Sequence, residues 1–249
     1  MNRSSLHLLE SAAFAAWPAL AQEDVLGWNL RYSDGYTKRA NSANALLDAV
    51  DLVPRQIELI EQRFRDRLLQ PIFRLASFVA PPNIDRLLAT RRYAKVDPTW
   101  VMQRLLSEPQ ASTVPPKSTS PRAWLAAFQQ ASGKQGPDQA IHLRMLQHIQ
   151  CPRVFAQVMD GDVPVCCGLA VAVGDQLGLF DIVTAASHRR RGLARQLCDG
   201  LIAWGHMQGA KSAFLQVTAS NSAAIALYQA MGFRTVYDYW YRIAPTTVS

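Results

Sequence analysis

Residues 184–197 read TAASHRRRGLARQL. An apolar run, Leu177 to Thr184 (LGLFDIVT), leads into this stretch. A helical pattern leaves it, with Leu193, Leu197, Leu201 and Trp204 at helical spacing and Cys198 and Ile202 beside them. The pattern predicts a strand, a basic turn with one glycine, and a helix. In that geometry the first amides of the helix are free and point out of its N-terminus. With the helix dipole they form an anion site suited to a pyrophosphate. Gly192 has no Cβ and lets a ligand approach the backbone. Arg189, Arg190 and Arg191 supply positive charge.

Arg189-x-x-Gly192-x-Ala194 resembles the R/Q-x-x-G-x-G/A signature of the GCN5-related N-acetyltransferases. A second element follows in order, after a strand-like SAFLQVT (Ser212 to Thr218). Asn221 to Phe233 (NSAAIALYQAMGF) is similar to the family's N-x-x-A-x-x-x-Y-x-x-x-G-F segment. The likeness covers roughly Arg122 to Ile243. It implies an α/β chain with a mixed sheet in the acyl-CoA N-acyltransferase fold. Acetyl-CoA would be the co-substrate and an amine the acceptor.

Composition bounds the alternatives. The chain has 249 residues, 49% of them hydrophobic, which is ample for a core. No apolar run approaches the roughly 18 residues of a membrane span. The N-terminal apolar stretch is broken by Glu10 and reads as an amphipathic helix, not a signal peptide. Cys151, Cys166, Cys167 and Cys198 show no C-x-x-C spacing, and the five histidines contain no H-x-x-x-H pair. A reduced, cytoplasmic protein without a metal site is expected. The net charge of +7 suits a polyanionic ligand such as CoA, and no nucleic-acid reader motif accompanies it. The oligomeric expectation is a monomer or a homodimer.

Taken in order, Leu6 to Trp17 is expected as a helix stopped by Pro18. Val25 to Tyr32 reads as a strand, Ser33-Asp34-Gly35 as a turn, and Tyr36 to Asn41 as the returning strand. Pro54 to Leu69 is a helix with proline at its favoured start. A strand over 72–78, a helix over 82–92 and strand character over 95–106 follow. Residues 108–121 (EPQASTVPPKSTSP) read as a proline-rich linker. Beyond it come helices over 122–130 and 137–150, strands over 153–159 and 165–173, and a closing aromatic strand over 234–242.

Element order before the linker repeats the order after it. Pro54-Arg55-Gln56-Ile57 falls on Ala194-Arg195-Gln196-Leu197 at an offset of 140 residues, and the same offset sets Leu87 on Leu227 and Tyr93 on Phe233. The expectation is two tandem copies of one fold: 1–107 degenerate, 108–121 linker, 122–249 catalytic. In the first copy the basic turn becomes Ala49-Val50-Asp51-Leu52-Val53-Pro54, with Asp48 beside it, and Leu88 stands where Tyr228 stands. Acids repel a pyrophosphate and proline removes an amide. Only the second copy should bind CoA.

Acyl transfer from a thioester to an amine needs the two held together, donors for the oxyanion, and a base and an acid. The resemblance assigns cofactor contacts to Ile182, Val183, Thr184, Arg189, Arg190, Arg191, Gly192, Leu193, Ala194, Arg195, Asn221 and Ala224. Within that set the amides of Ile182 and Thr184 are the candidates for the pantetheine and the acetyl carbonyl. Asn221 also suits a helix N-cap. Tyr228, two turns on, is the expected proton donor to the departing sulfur. The base is less legible, because Gly178 stands where some family members carry glutamate. Asp181 and Asp175 are the nearest acids, and Asp181 is the candidate. Two other readings compete: a non-catalytic acyl-CoA-binding regulatory protein, and a transferase using another acyl-CoA. In the latter, Arg31 or Arg39 would read the carboxylate of a succinyl group.

Overall fold

Local signals set most of the elements. Asn2 accepts from the Ser5 amide at 2.9 Å and starts α1 (Arg3–Ala16), which Pro18 stops. The computed structural model describes residues 2–46, 49, 51–106, 116, 118–133 and 138–245. After α1 come β1 (Ala21–Val25), β2 (Trp28–Tyr32), β3 (Ala43–Ala45), α2 (Pro54–Arg65), β4 (Ile72–Ala76), α3 (Ile84–Thr90) and β5 (Ala94–Leu105). Then follow α4 (Pro121–Ser132), α5 (Gln139–His148), β6 (Arg153–Asp160), β7 (Val163–Val173), β8 (Gln176–Thr184), α6 (Leu193–Met207), β9 (Ser212–Thr218), α7 (Ser222–Ala230) and β10 (Arg234–Ile243). Most of the 108–121 linker lies outside the described residues. Its final proline opens α4, where Ser120 caps the Ala123 amide at 3.2 Å.

Three expectations are corrected. Val25 to Tyr32 is not one strand. Leu26 and Gly27 have φ of 55° and 75°, a two-residue turn that folds β1 onto β2. The turn hides in the apolar alternation because leucine carries no turn signal. Tyr36 to Asn41 is a loop with a single 3-10 turn at Lys38–Ala40, and the returning strand forms later as β3. Asn41 holds that loop. Its amide donates to the carbonyls of Tyr36 and Thr37 at 2.7 and 2.9 Å, and its oxygen accepts from the Ser33 and Gly35 amides at 2.7 and 3.1 Å. Finally, α2 ends at Arg65, short of Leu69.

All ten strands form one mixed sheet, in the order β1-β2-β3-β4-β10-β5-β9-β8-β7-β6. The β3–β4 and β8–β9 pairs are parallel and the others antiparallel. The last strand before the linker does not stay with its predecessors. Strand β5 sits between β10 and β9, while β4 pairs with β10. At the centre of the sheet Ala94 faces Ile243 and Arg234 faces Gln103. An offset of 140 residues converts one of these pairs into the other.

Helices cover both faces. On one face α6 and α7 pack over β7, β8 and β9 through Leu197, Leu201, Ile225 and Tyr228. On the other, α1 and α4 cross β7 and β8, and α5 lies against α4. Trp17 of α1's C-cap stacks on Phe180 of β8, ring centroids 5.4 Å apart. Strand β7, covered on both sides, is buried from Pro164 to Ala172.

A chain cut between Leu106 and Ser118 is expected to stay one particle on gel filtration, because β4, β10, β5 and β9 interleave across the cut. Purified apart, each piece leaves ladder partners unpaired and should lose most of its strand signal in circular dichroism. Two pieces that separate spontaneously and remain folded would contradict this interleaving.

Candidate functional site

The site begins where two parallel strands part. Strands β8 and β9 pair only from Gln176 and Ser212 to Leu179 and Leu215. Residues 180–184 and 216–218 run on without pairing to each other. A bulge accompanies the parting: Leu169 of β7 faces Phe180, but Cys167 faces Val183, so β8 carries one extra residue. Asp181 takes φ of 50° within it. The Gly168 carbonyl stands opposite the bulge and accepts from the Trp124 indole at 3.1 Å.

Beyond the bulge the Ala185 amide donates to Val165 of β7 at 2.9 Å. By strand alternation the amides of Thr184 and Ile182 point the other way, into the gap. Val183, between them, turns its backbone toward β7 instead.

Strand β8 then enters the basic turn. Its first part is pinned: His188 Nε2 lies 3.0 Å from Asp160 Oδ2, and Ser187 Oγ 2.9 Å from His188 Nδ1. Arg189 Nε donates to the Thr184 carbonyl at 3.4 Å. Arg189, Arg190 and Arg191 are exposed, and among the described residues no carboxylate pairs with them. Gly192, at φ 79°, turns the chain into α6, and a Cβ built there meets nothing within 4 Å. No side chain caps α6, and the first helical bond runs from Gln196 to Gly192. The amides of Leu193, Ala194 and Arg195 are therefore left for a ligand. Arg195 lies 3.7 Å from Asp199 across one turn of the helix.

The N-terminus of α7 lies on the same face. Asn221 Oδ1 accepts from the Ala224 amide at 3.2 Å, so Asn221 is the N-cap and Ala224 the residue it satisfies. Tyr228 is only 7% exposed and packs edge-on to Phe233. Burial pushes its phenol well above the usual range, and the Cys198 and Cys166 thiols add to the shift. It is a neutral hydrogen-bond donor at physiological pH. The two thiols are themselves pushed up by burial and are not nucleophiles.

Asp181 projects from the opposite face. Its Oδ2 lies 3.0 Å from Nε2 of His142, which is buried on α5. Tyr36 stacks on the His142 ring at 4.8 Å, and Trp124 and Phe128 meet it edge-on. Sequence reasoning missed His142 and Tyr36. Neither belongs to a motif, and both reach Asp181 only through long-range packing. The absent glutamate also has a steric reason. A Cβ on Gly178 would lie 2.5 Å from the Phe180 ring and 2.9 Å from that of Phe214.

The turn before α2, which the 140-residue offset sets on the basic turn, is closed. The first helical residue of α2 is Pro54, which has no amide hydrogen, and the Val53 amide is taken by Gln56 at 2.9 Å. Asp51 bridges to the start of α3, accepting from the Asn83 amide and side chain at 3.1 and 3.0 Å. Asp48 lies outside the described residues. Among the described residues no three His, Cys, Asp or Glu side chains gather as a metal site, and no helix is long and apolar enough to cross a membrane.

Residues 3–242 match the family model described as "Probable histone acetyltransferase Rv0428c C-terminal". The chain is 28% identical over 242 residues to the uncharacterized N-acetyltransferase YobR of Bacillus subtilis (strain 168), covering 94% of this chain and 97% of that protein. A shorter stretch of 59 residues is 44% identical to the ribosomal protein bS18-alanine N-acetyltransferase of Salmonella typhimurium, spanning 24% of this chain and 40% of the relative. Among solved structures, the GCN5-related N-acetyltransferase from Kribbella flavida has the same fold. Its TM-score is 0.69 over 98% of this chain and 95% of that chain, at 17% identity.

The open ground at Gly192 makes a clean test. Gly192→Asp places a carboxylate among the free amides and forces an unfavourable φ, at a cost of about 1–2 kcal/mol. The expected outcome is a folded protein by circular dichroism whose affinity for CoA, read by calorimetry, falls at least ~100-fold. Unchanged affinity would remove the turn from the binding site.

Proposed function

The chain belongs to the GCN5-related N-acetyltransferase family, in the branch of the Rv0428c C-terminal domain, and on that premise we propose that it moves an acetyl group from acetyl-CoA to a primary amine of a small molecule or peptide, by direct attack in a ternary complex. The observation that carries this reading is the opening between β8 and β9. It has free amides and unpaired arginines on one face and a carboxylate–imidazole pair on the other.

In this reading the pyrophosphate rests on the amides of Leu193, Ala194 and Arg195, with Arg189, Arg190 and Arg191 around it. The pantetheine runs past Asn221 and along the free edge of β8. The Ile182 and Thr184 amides hold the thioester and the oxyanion that forms from it. The amine enters from the α1 and α5 face. Asp181, held by His142, takes a proton from the ammonium and leaves a lone pair on nitrogen. A lysine-like amine is only about 0.04% neutral at pH 7, so this proton transfer matters. Nitrogen attacks the carbonyl carbon, the tetrahedral intermediate gives its second N–H proton to solvent as it collapses, and the C–S bond breaks. The thiolate leaves toward Tyr228, whose phenol donates to it.

The two-copy organisation, with 1–107 degenerate and 122–249 catalytic, belongs to the same proposal. Its support is the mirrored strand order, the 140-residue offset that maps the central register onto itself, and the Asp51–Asn83 bridge across the N-terminal corner. The last strands of the two halves are then exchanged: β5 completes the sheet of the second half and β10 that of the first.

Two substitutions separate an enzyme from a binder. Tyr228→Phe keeps the packing and removes only the donor. Acetyl-CoA affinity should hold within a few-fold while kcat falls about 10²-fold. Asp181→Asn should lower kcat by about 10²-fold or more, also with little effect on acetyl-CoA binding. Thiol release from acetyl-CoA, followed with a panel of amines, reads both. Full activity in the phenylalanine variant would take Tyr228 out of the mechanism.

A further inference from the structure

Beside the opening, on the α1 face, three arginines gather, and only Arg74 pairs with a carboxylate, that of Glu10. Arg74, 2% exposed, is bidentate with Glu10 and lies 3.7 Å over the Tyr239 ring. Arg31, 1% exposed, gives its Nη1 to the Arg39 carbonyl at 3.2 Å and its Nη2 to carbonyls at the end of α1. Arg39 reaches Tyr239, and among the described residues no carboxylate pairs with it. The Nε of all three arginines is buried without an acceptor. Uncompensated buried cations are costly, and a guanidinium fork with open donors matches a carboxylate. Tyr239 registers the excess charge. Burial pushes its phenol up, but Arg39 and Arg74 outweigh burial and hold it below the usual value.

The cluster adjoins the reacting face. Tyr239 donates to Gln216 Oε1 at 2.7 Å, and Gln216 lies on the part of β9 that has left β8. The loop from Ser33 to Asn41 carries Tyr36 onto His142, the partner of Asp181, and carries Arg39 three residues further on. One short loop thus joins the carboxylate–imidazole pair to the arginine excess.

We propose that Arg39, backed by Arg31 and Arg74, receives a carboxylate carried by the acceptor, so that the substrate is a free amino acid or related amino-carboxylate, not a simple amine. The inference rests on the acetyl-transfer reading above. A site built around a charged hydrogen-bonding group discriminates strongly against analogues that lack it.

The test uses the full chain, acetyl-CoA, and matched pairs of free amino acids and their carboxamides, with thiol release as the readout. The best acid should exceed its amide in kcat/KM by at least ~10²-fold. Arg39→Gln should bring that ratio to within a few-fold of one, with acetyl-CoA affinity and melting temperature close to the parent. Arg39→Lys, which keeps the charge but not the fork, should fall between. The acid-to-amide ratio of the unaltered protein decides the matter even if the variants fold poorly. Amides that react as well as acids would overturn the inference and leave acetyl transfer standing. A preference for succinyl-CoA over acetyl-CoA with a neutral amine, lost in Arg39→Gln, would place the carboxylate on the donor and overturn it too. If no amine releases thiol, calorimetry of acids and amides into the CoA-bound chain decides. Binding of acids alone supports the arginine site and overturns the transfer reading; no preference for acids overturns the arginine site as well.

Discussion

Two parallel strands that stop pairing halfway create everything else in the site. A β-strand in a closed ladder has no spare amides, because each is taken by a neighbour. By adding one residue at Asp181, β8 bends away from β9 and frees the amides of Ile182 and Thr184. The same bulge sends Phe180 and Asp181 to one face of the sheet. Phe180 locks onto Trp17, and Asp181 meets His142. The freed backbone and the reoriented carboxylate thus have one cause. The opening passes through the sheet, so its two faces can be reached independently.

That opening needs a rigid frame, and the central strands supply it. Strand β5 pairs along β9 from Leu105 to Thr99, which holds β9 in place beyond the point where β8 leaves it. Helix α1 ties the same region from above. Its Glu10 holds Arg74 of β4 and accepts from Tyr237 of β10, while its C-terminal carbonyls are satisfied by Arg31 of β2. Removing either partner of such a buried pair typically costs about 3–5 kcal/mol, because the other charge is left uncompensated. Elements from the start of the chain reach the Asp181 side of the opening: Tyr36 stacks on His142, and α1 packs on β7 and β8.

Charge is distributed unequally across the two faces for physical reasons. On the α6 face the arginines of the basic turn stay in water, where unpaired charge is cheap until a ligand arrives. On the α1 face Arg31 and Arg74 are buried, and the fold must satisfy them with helix carbonyls, one glutamate and aromatic faces. An exposed basic turn suits a flexible polyanion. A buried, preorganised cluster suits selection of a small group.

The sequence by itself determined the basic turn and its flanks. Thr184 to Leu197 and Asn221 to Phe233 are contiguous, and their chemistry depends on local features: a glycine at positive φ, an uncapped helix start, an asparagine cap. Element order was legible for the same reason, since helix and strand periodicities are local. Where a local cue was silent, as at Leu26-Gly27, the boundary was lost. Only the tertiary structure decided what surrounds Asp181 and Arg74. His142 meets Asp181 across 39 residues of chain, Glu10 meets Arg74 across 64, and Gln216 meets Tyr239 from a neighbouring part of the sheet. No spacing in the chain encodes such pairs. The place of β5 between β10 and β9 was equally hidden, because which strands become neighbours is settled only when the whole sheet closes.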